Sequence, residues 1–186
     1  MCVIDREPGT TTQEPAGEIV TRRLRLRRPM LKDVRAIARM AADYAISSMT
    51  TRMPFPYADG DARSFVQLVN AQDRRRENTF VIEHAEDGVV GALGFHKPSG
   101  QPLEMGYWIG RSYWGRGYAT EASIGALKWA DTDWRRRMVV AGHFADNAAS
   151  AQVLIKTGFL YTGEVQNRHS RARGRVEPTR MMVWLA

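Results

Sequence analysis

Cysteine is nearly absent: among 186 residues there is one, Cys2. A single thiol excludes an internal disulfide and cannot build a cysteine-rich zinc site. Long hydrophobic runs are missing too, and none approaches the ~20 residues that span a bilayer. The opening MCVIDREPGTTTQEPAG lacks the apolar stretch and cleavage site of a secretory signal. Acidic residues are outnumbered, 20 Asp and Glu against 27 Lys and Arg, for a net charge of +7. What is present is ordinary for a globular chain, with 44% hydrophobic and 25% charged residues, which excludes a wholly disordered polymer. At about 100–200 residues per domain, this length fits one domain that buries roughly 70% of its unfolded surface. The expectation is a soluble cytoplasmic domain.

The positive charge falls in four places: Arg22 to Arg28, Arg74 to Arg76, Arg135 to Arg137 and Arg168 to Arg180. A nucleic-acid protein would use such groups to neutralise phosphates. TRRLRLRR alternates, however, placing Leu24 and Leu26 on one face and Arg23, Arg25 and Arg27 on the other. That pattern predicts a half-buried strand with a solvated outer face. The two Arg triplets are expected to end helices, where cations complement the dipole. The bland reading outweighs a nucleic-acid surface, and an anionic ligand stays open.

Residues 1–17 are polar and turn-rich and read as a loose tail. A strand is predicted over about Ile19–Arg28, stopped by Pro29, followed by a helix from near Lys32. Ser47–Gly60, with two prolines and two aromatics, reads as a loop. A second helix is predicted over about Asp61–Asn78, burying Phe65, Val66, Leu68 and Val69. The period then changes to two. Thr79–Glu83 and Val89–Phe95 flank AEDG and predict a hairpin. A strand follows at Leu103–Ile109, a helix to about Ala130, a strand at Met138–Phe144 and a helix at Asn147–Thr157 capped by Gly158. Phe159–Leu185 reads as two strands joined by an Arg-rich loop. The order predicts one α/β or α+β domain with a mixed sheet and a parallel crossover between Leu103 and Phe144.

The stretch EMGYWIGRSYWGRGYATEA, Glu104 to Ala122, runs a strand through a turn with Gly110, Gly115 and Gly117 into a helix. A helix start offers unpaired N–H groups and partial positive charge, which suits a phosphate. Glycines 115 and 117 remove Cβ atoms that would hold an anion away. The pattern is neither the dinucleotide GxGxxG nor a P-loop. Taken alone, it fits both a glycine-relieved turn and an anion cradle.

WGRGYATEA, taken with NAASAQVLIKTGF, resembles the GCN5-related N-acetyltransferases (GNAT). The nearest likeness is to the branch of bacterial enzymes that acetylate ribosomal-protein N-termini. LRLRRP, VVGALGF, EMGYWIG and GFLYTGEV extend the likeness over nearly all of residues 18–186. It implies one acetyltransferase domain: a mixed, mostly antiparallel sheet with one splayed parallel pair and helices on both faces. It implies acetyl-CoA as acyl donor and no metal.

The family's Gln/Arg-x-x-Gly-x-Gly/Ala turn grips the pyrophosphate. Here it falls on Trp114, Gly115, Arg116, Gly117, Tyr118, Ala119 and Thr120, with tryptophan where the family has Gln or Arg. Trp108 and Ile109 would offer strand N–H groups to the pantetheine arm, one of them polarising the thioester carbonyl. Asn147 would hold the pantetheine, although asparagine is also a preferred helix cap. Ser150 would protonate the departing thiolate, a step many members give to a tyrosine, and no tyrosine here stands at an evident equivalent place.

Glu104 reads as either a general base or an exposed strand carboxylate. It shares its face with Gly106 and Trp108, which leaves space beside it. His96 is the less favoured base, since it is expected to begin a loop before Pro98 and to be solvent-exposed. His84, His143 and His169 lack metal-ligand spacing. Trp114 and Tyr118 are expected to pack. The acceptor expected from the branch is a protein or peptide α-amino group. The alternatives are a small metabolite or antibiotic amine, or an inactive basic RNA- or ribosome-associated module.

Overall fold

The computed structural model describes residues 17–97 and 100–186. The tail reading of 1–17, except Gly17, and residues 98–99 lie outside the described residues.

Eight strands form one sheet: β1 (Ile19–Val20), β2 (Leu24–Arg27), β3 (Asn78–His84), β4 (Gly88–His96), β5 (Glu104–Ile109), β6 (Met138–Phe144), β7 (Leu160–Ser170) and β8 (Arg175–Leu185). Their order is β1-β2-β3-β4-β5-β6-β8-β7. Every pairing is antiparallel except β5 with β6. Among the described residues there are five α-helices: α1 (Val34–Ala41), α2 (Tyr44–Ser47), α3 (Asp59–Asn70), α4 (Tyr118–Thr132) and α5 (Ala148–Lys156).

Strand alternation divides the core between the two faces. Phe80 and Ile82 pack with Leu26, Leu93, Ala122, Ala126 and Trp129 on the α4 side. Val81 and Val89 pack with Ile37, Ala62 and Val66 of α1 and α3 on the other. Each fully buried aliphatic or aromatic side chain here contributes roughly 1.5–3 kcal/mol.

Four local expectations are corrected. The first strand is broken at residues 21–23, because Thr21 N–H bonds Leu24 O and turns the chain into a β1–β2 hairpin. Arg27 is not solvated: it is 2% exposed, donating to Asp33 and Glu83 at 2.7–3.0 Å. α3 stops at Asn70, since Asp73 O takes the N–H groups of Arg76 and Glu77 and turns the chain toward β3. Its buried stripe is Ala62, Val66 and Val69, at helical spacing, which leaves Leu68 off the stripe and 71% exposed.

The Arg triplets lie beyond the ends of α3 and α4, in the turns to the next strands, and the Arg136 guanidinium donates to Arg75 O at 2.6 Å. The Ser47–Gly60 loop includes the last residue of α2 and the first two of α3. Of the expected Arg-rich loop at the C-terminal end, only residues 171–174 are a turn. That turn is fastened to the segment after α2: Arg173 Nε donates to Ser48 O at 2.6 Å, Ser170 Oγ to Thr50 O at 3.0 Å and Arg171 N to Thr51 O at 3.1 Å.

Candidate active site

β5 and β6 share a register only at Glu104↔Val140, where Val140 N–H bonds Leu103 O at 2.8 Å. Beyond that point they separate. Gly110 N–H is committed to Val90 O, so by the alternation of an antiparallel ladder Trp108 N–H faces β4 while Tyr107 and Ile109 N–H face the gap. Of the two backbone groups expected to meet the pantetheine, the Ile109 N–H faces the gap and the Trp108 N–H does not, and Tyr107 offers the other N–H that does. A cleft of about 1790 Å³ follows the gap, and Glu104, Trp108, Ile109, Gly115, Gly117, Tyr118, Ala119, Thr120, Asn147 and Ser150 all line it.

One end is built mainly from backbone. Gly115 and Gly117 adopt φ of +75° and +78°, the left-handed region that glycine enters without a Cβ penalty. A Cβ at Gly115 would meet nothing, and at Gly117 only Arg23 at 3.6 Å, so the backbone is open to a ligand. Gly117 is the N-cap of α4, no side chain caps it, and the first helical bond is Glu121 N–H to Gly117 O at 3.0 Å. The N–H groups of Tyr118, Ala119 and Thr120 therefore face outward, as an anion requires.

Glu121, in that first turn, would oppose a phosphate. Burial works against its charge, but Thr21 Oγ1 at 2.8 Å and the N–H and Nε of Arg23 at 2.7 Å outweigh burial and hold the carboxyl below its usual range. Arg23 matches the carboxylate and also lies 4.8 Å over the Tyr118 ring, which stacks on His84. Tyr118 thus packs, as expected. Trp114 folds back to donate its indole N–H to Ile109 O at 2.7 Å. Arg116, expected to contact the cofactor, lies over Tyr113 and 3.4 Å from Asp87 and is not among the residues that line the cleft.

At the middle of the cleft Asn147 caps α5, its side chain accepting Ser150 N–H at 3.0 Å, so the cap positions Ser150 rather than excluding a role in the cleft. Ser150 Oγ lies 2.9 Å from the Tyr107 hydroxyl. Sequence reasoning missed Tyr107, because its partner stands 43 positions away on another element. Burial pushes the Tyr107 phenol up to about 12, with the Ser150 hydrogen bond opposing, so it is a proton donor at neutral pH.

The other end is built from side chains. Glu104 is no free surface carboxylate: its oxygens accept from both terminal nitrogens of Arg168, which also donates to Gln166 Oε1 at 2.8–3.0 Å. Such a fork-to-fork pair is geometrically specific. His96 is half-buried and lines the cleft, contrary to its expected exposure, because β4 runs one residue further than predicted and pairs it with Glu104. Arg52 stands near enough to His96 to act on its charge, Arg171 donates to Arg52 O at 3.4 Å, and both line the cleft, as does His169. Among the described residues no group of three or more His, Cys, Asp or Glu stands where it could hold a metal. No helix among them is long and apolar enough to cross a membrane.

Comparison with known proteins agrees with this geometry. The profile of the acetyltransferase (GNAT) domain matches residues 23–160. The chain is 26% identical over 163 residues to the N-acetyltransferase p20 of Bacillus licheniformis, covering 85% of this chain and 90% of that one. It is 30% identical over 113 residues to the ribosomal-protein-serine acetyltransferase of Escherichia coli, 59% of this chain and 62% of that one. The structure of Mycobacterium smegmatis RimJ in complex with CoA-disulfide superposes with a TM-score of 0.75 at 25% identity, covering 88% of this chain and 82% of that one. A sheet opened between β5 and β6, a glycine-relieved helix start at its mouth and a family match across both together make this chain a member of the GNAT family, an acetyl-CoA-dependent N-acetyltransferase.

Proposed function

We propose that the chain acetylates the α-amino group of a protein or peptide by direct transfer from acetyl-CoA. The observation that carries the reading is the presence of Arg52 and Arg171 among the side chains that line the cleft near His96 and the Glu104–Arg168 pair. Cationic borders repel a polyamine and tolerate a chain end with a single amine. The attacking nitrogen must be neutral, and an α-amino group near 7.7–8.0 is neutral far more often at pH 7 than a lysine near 10.4. That gap of about 2.5 units corresponds to roughly 3.4 kcal/mol that a lysine site would have to supply. The Escherichia coli relative, by its name, acts on a ribosomal protein, which points the same way.

In this reading the turn at Gly115–Thr120 holds the pyrophosphate, Asn147 and the Ile109 N–H meet the pantetheine arm, and Arg116 stays outside the contact. The amine lone pair attacks the thioester carbon, and the C–S bond breaks. Ser150 gives its proton to the departing thiolate and regains one from Tyr107. The proton shed by the amine leaves toward the corner of the cleft where Glu104 is clamped by Arg168.

Thiol release from acetyl-CoA, measured across acceptors, tests the proposal. A peptide with a free N-terminus is expected to react, and its N-blocked, lysine-containing counterpart is not. Transfer confined to polyamines, aminoglycosides or other small amines would move the acceptor class. No turnover with any acceptor would favour a non-catalytic ribosome-associated module.

A further inference from the structure

The corner that receives the amine's proton contains a second titratable side chain, His96, which ends β4 directly opposite Glu104 in the register. Cross-strand partners project to the same face, so the imidazole and the carboxylate stand side by side on the floor of the cleft. The next pair along the strands is Gly94↔Gly106. A Cβ at Gly106 would meet nothing within 4 Å, so the floor is open on the β5 side, while over Gly94 the Thr79 side chain covers it. The two side chains are differently engaged. Both oxygens of Glu104 are committed to Arg168. Neither ring nitrogen of His96 has a hydrogen-bond partner among the described residues, although the ring lines the cleft.

We propose that His96 is the general base of acetyl transfer, with the Glu104–Arg168 pair beside it shaping the acceptor mouth. The proposal rests on the acetyltransferase reading and deepens it. As the amine nitrogen bonds to the thioester carbon, its surplus proton passes to a ring nitrogen of His96, directly or through one water. The electrons of the C–S bond leave with sulfur, which takes a proton from Ser150. Imidazole then returns its proton to solvent through the open mouth.

The surroundings keep the ring in its accepting form. Burial is the largest influence and lowers its proton affinity, Arg52 from the segment after α2 lowers it further, Glu104 on β5 and Glu77 before β3 raise it, and Arg168 on β7 lowers it. The net direction is below the ordinary imidazole value, so the neutral ring prevails at pH 7.

The test is the pH dependence of kcat at saturating acetyl-CoA and peptide, measured with two acceptors of different amine pKa. The limb that does not follow the amine belongs to the enzyme. Wild type is expected to gain activity with rising pH through a value below about 6.5. His96→Gln is expected to lose about a hundredfold in kcat and that limb with it. It should keep the thermal shift produced by acetyl-CoA, which reports an intact fold and donor site. Imidazole added to His96→Ala is expected to restore part of the activity. Unchanged kcat and an unchanged limb in His96→Gln would overturn the assignment, and so would loss of the acetyl-CoA shift, which marks a structural role. A limb that disappears in Glu104→Gln but survives in His96→Gln would move the base to Glu104. A wild-type enzyme that acetylates nothing would instead defeat the underlying reading, and does so before any substitution is made.

Discussion

The two ends of the cleft are made of different material. The donor end draws on one contiguous stretch, Tyr107–Thr120, and offers mostly main-chain N–H groups at a helix start and a strand edge. The acceptor end assembles side chains from β4, β5, β7 and the segment after α2, held by the Glu104–Arg168 fork and by the fastening of the 171–174 turn to residues 48–51. A backbone cradle tolerates substitution of most side chains around it, because its ligand contacts carry no side chain. An assembly of side chains changes with every substitution made in it. The comparison teaches where one fold keeps a common donor and where it varies the acceptor.

Substitutions can break that division. The largest effect is expected at the seam between the ends: Ser150→Ala should lower kcat about a hundredfold and leave both Michaelis constants near wild type, since a leaving-group acid acts in the transition state. Tyr107→Phe should cost less, about tenfold. The phenol is raised to about 12 by burial, so it holds its proton below that value. Wild-type kcat should therefore show no alkaline decline from this group until pH approaches 12, and stopped-time assays up to pH 10 check it. A decline that Tyr107→Phe removes at lower pH would contradict the assignment.

Next in size is Gly117→Val, which should raise KM for acetyl-CoA about tenfold without moving that of the acceptor. Forcing a branched residue to positive φ costs ~1–2 kcal/mol and fills the space a phosphate uses. A variant that folds with unchanged KM for acetyl-CoA would reduce the turn to a structural one. The smallest effect is expected from Arg168→Gln. It frees the Glu104 carboxylate beside the acceptor mouth, and peptide KM should change by a few fold while the acetyl-CoA thermal shift stays the same. An altered acetyl-CoA shift would show that the two ends are not independent.

Legibility followed the same division. The hairpin of β3 and β4, the strands at β5 and β6, the α5 cap at Asn147 and the glycine turn were all readable, because alternation, caps and glycine punctuation act within a few residues. Leu68 was misjudged because its helix carries a weak apolar stripe, and the choice between Ala62 and Leu68 as the buried residue depends on where α1 sits. Arg27 was taken as solvated because alternation assigns a face but not what lies over it. Asp33, one turn later in the chain, covers that face and pairs with the guanidinium. In the site, Ser150 and Glu104 were visible as candidates, whereas Tyr107, Arg168 and the seclusion of His96 were not.

By itself the sequence determined one mixed domain, the glycine-relieved helix start with its free N–H groups and, through its motifs, the family. These are matters of backbone conformation over short spans, and a glycine, a cap or an alternating run imposes them locally. Only the tertiary structure decided which side chains face the thioester and which are tied up elsewhere. Arg168 reaches Glu104 across 64 positions and Tyr107 reaches Ser150 across 43. Those meetings are set by strand order and register, and register is a property of the whole sheet that no local stretch encodes.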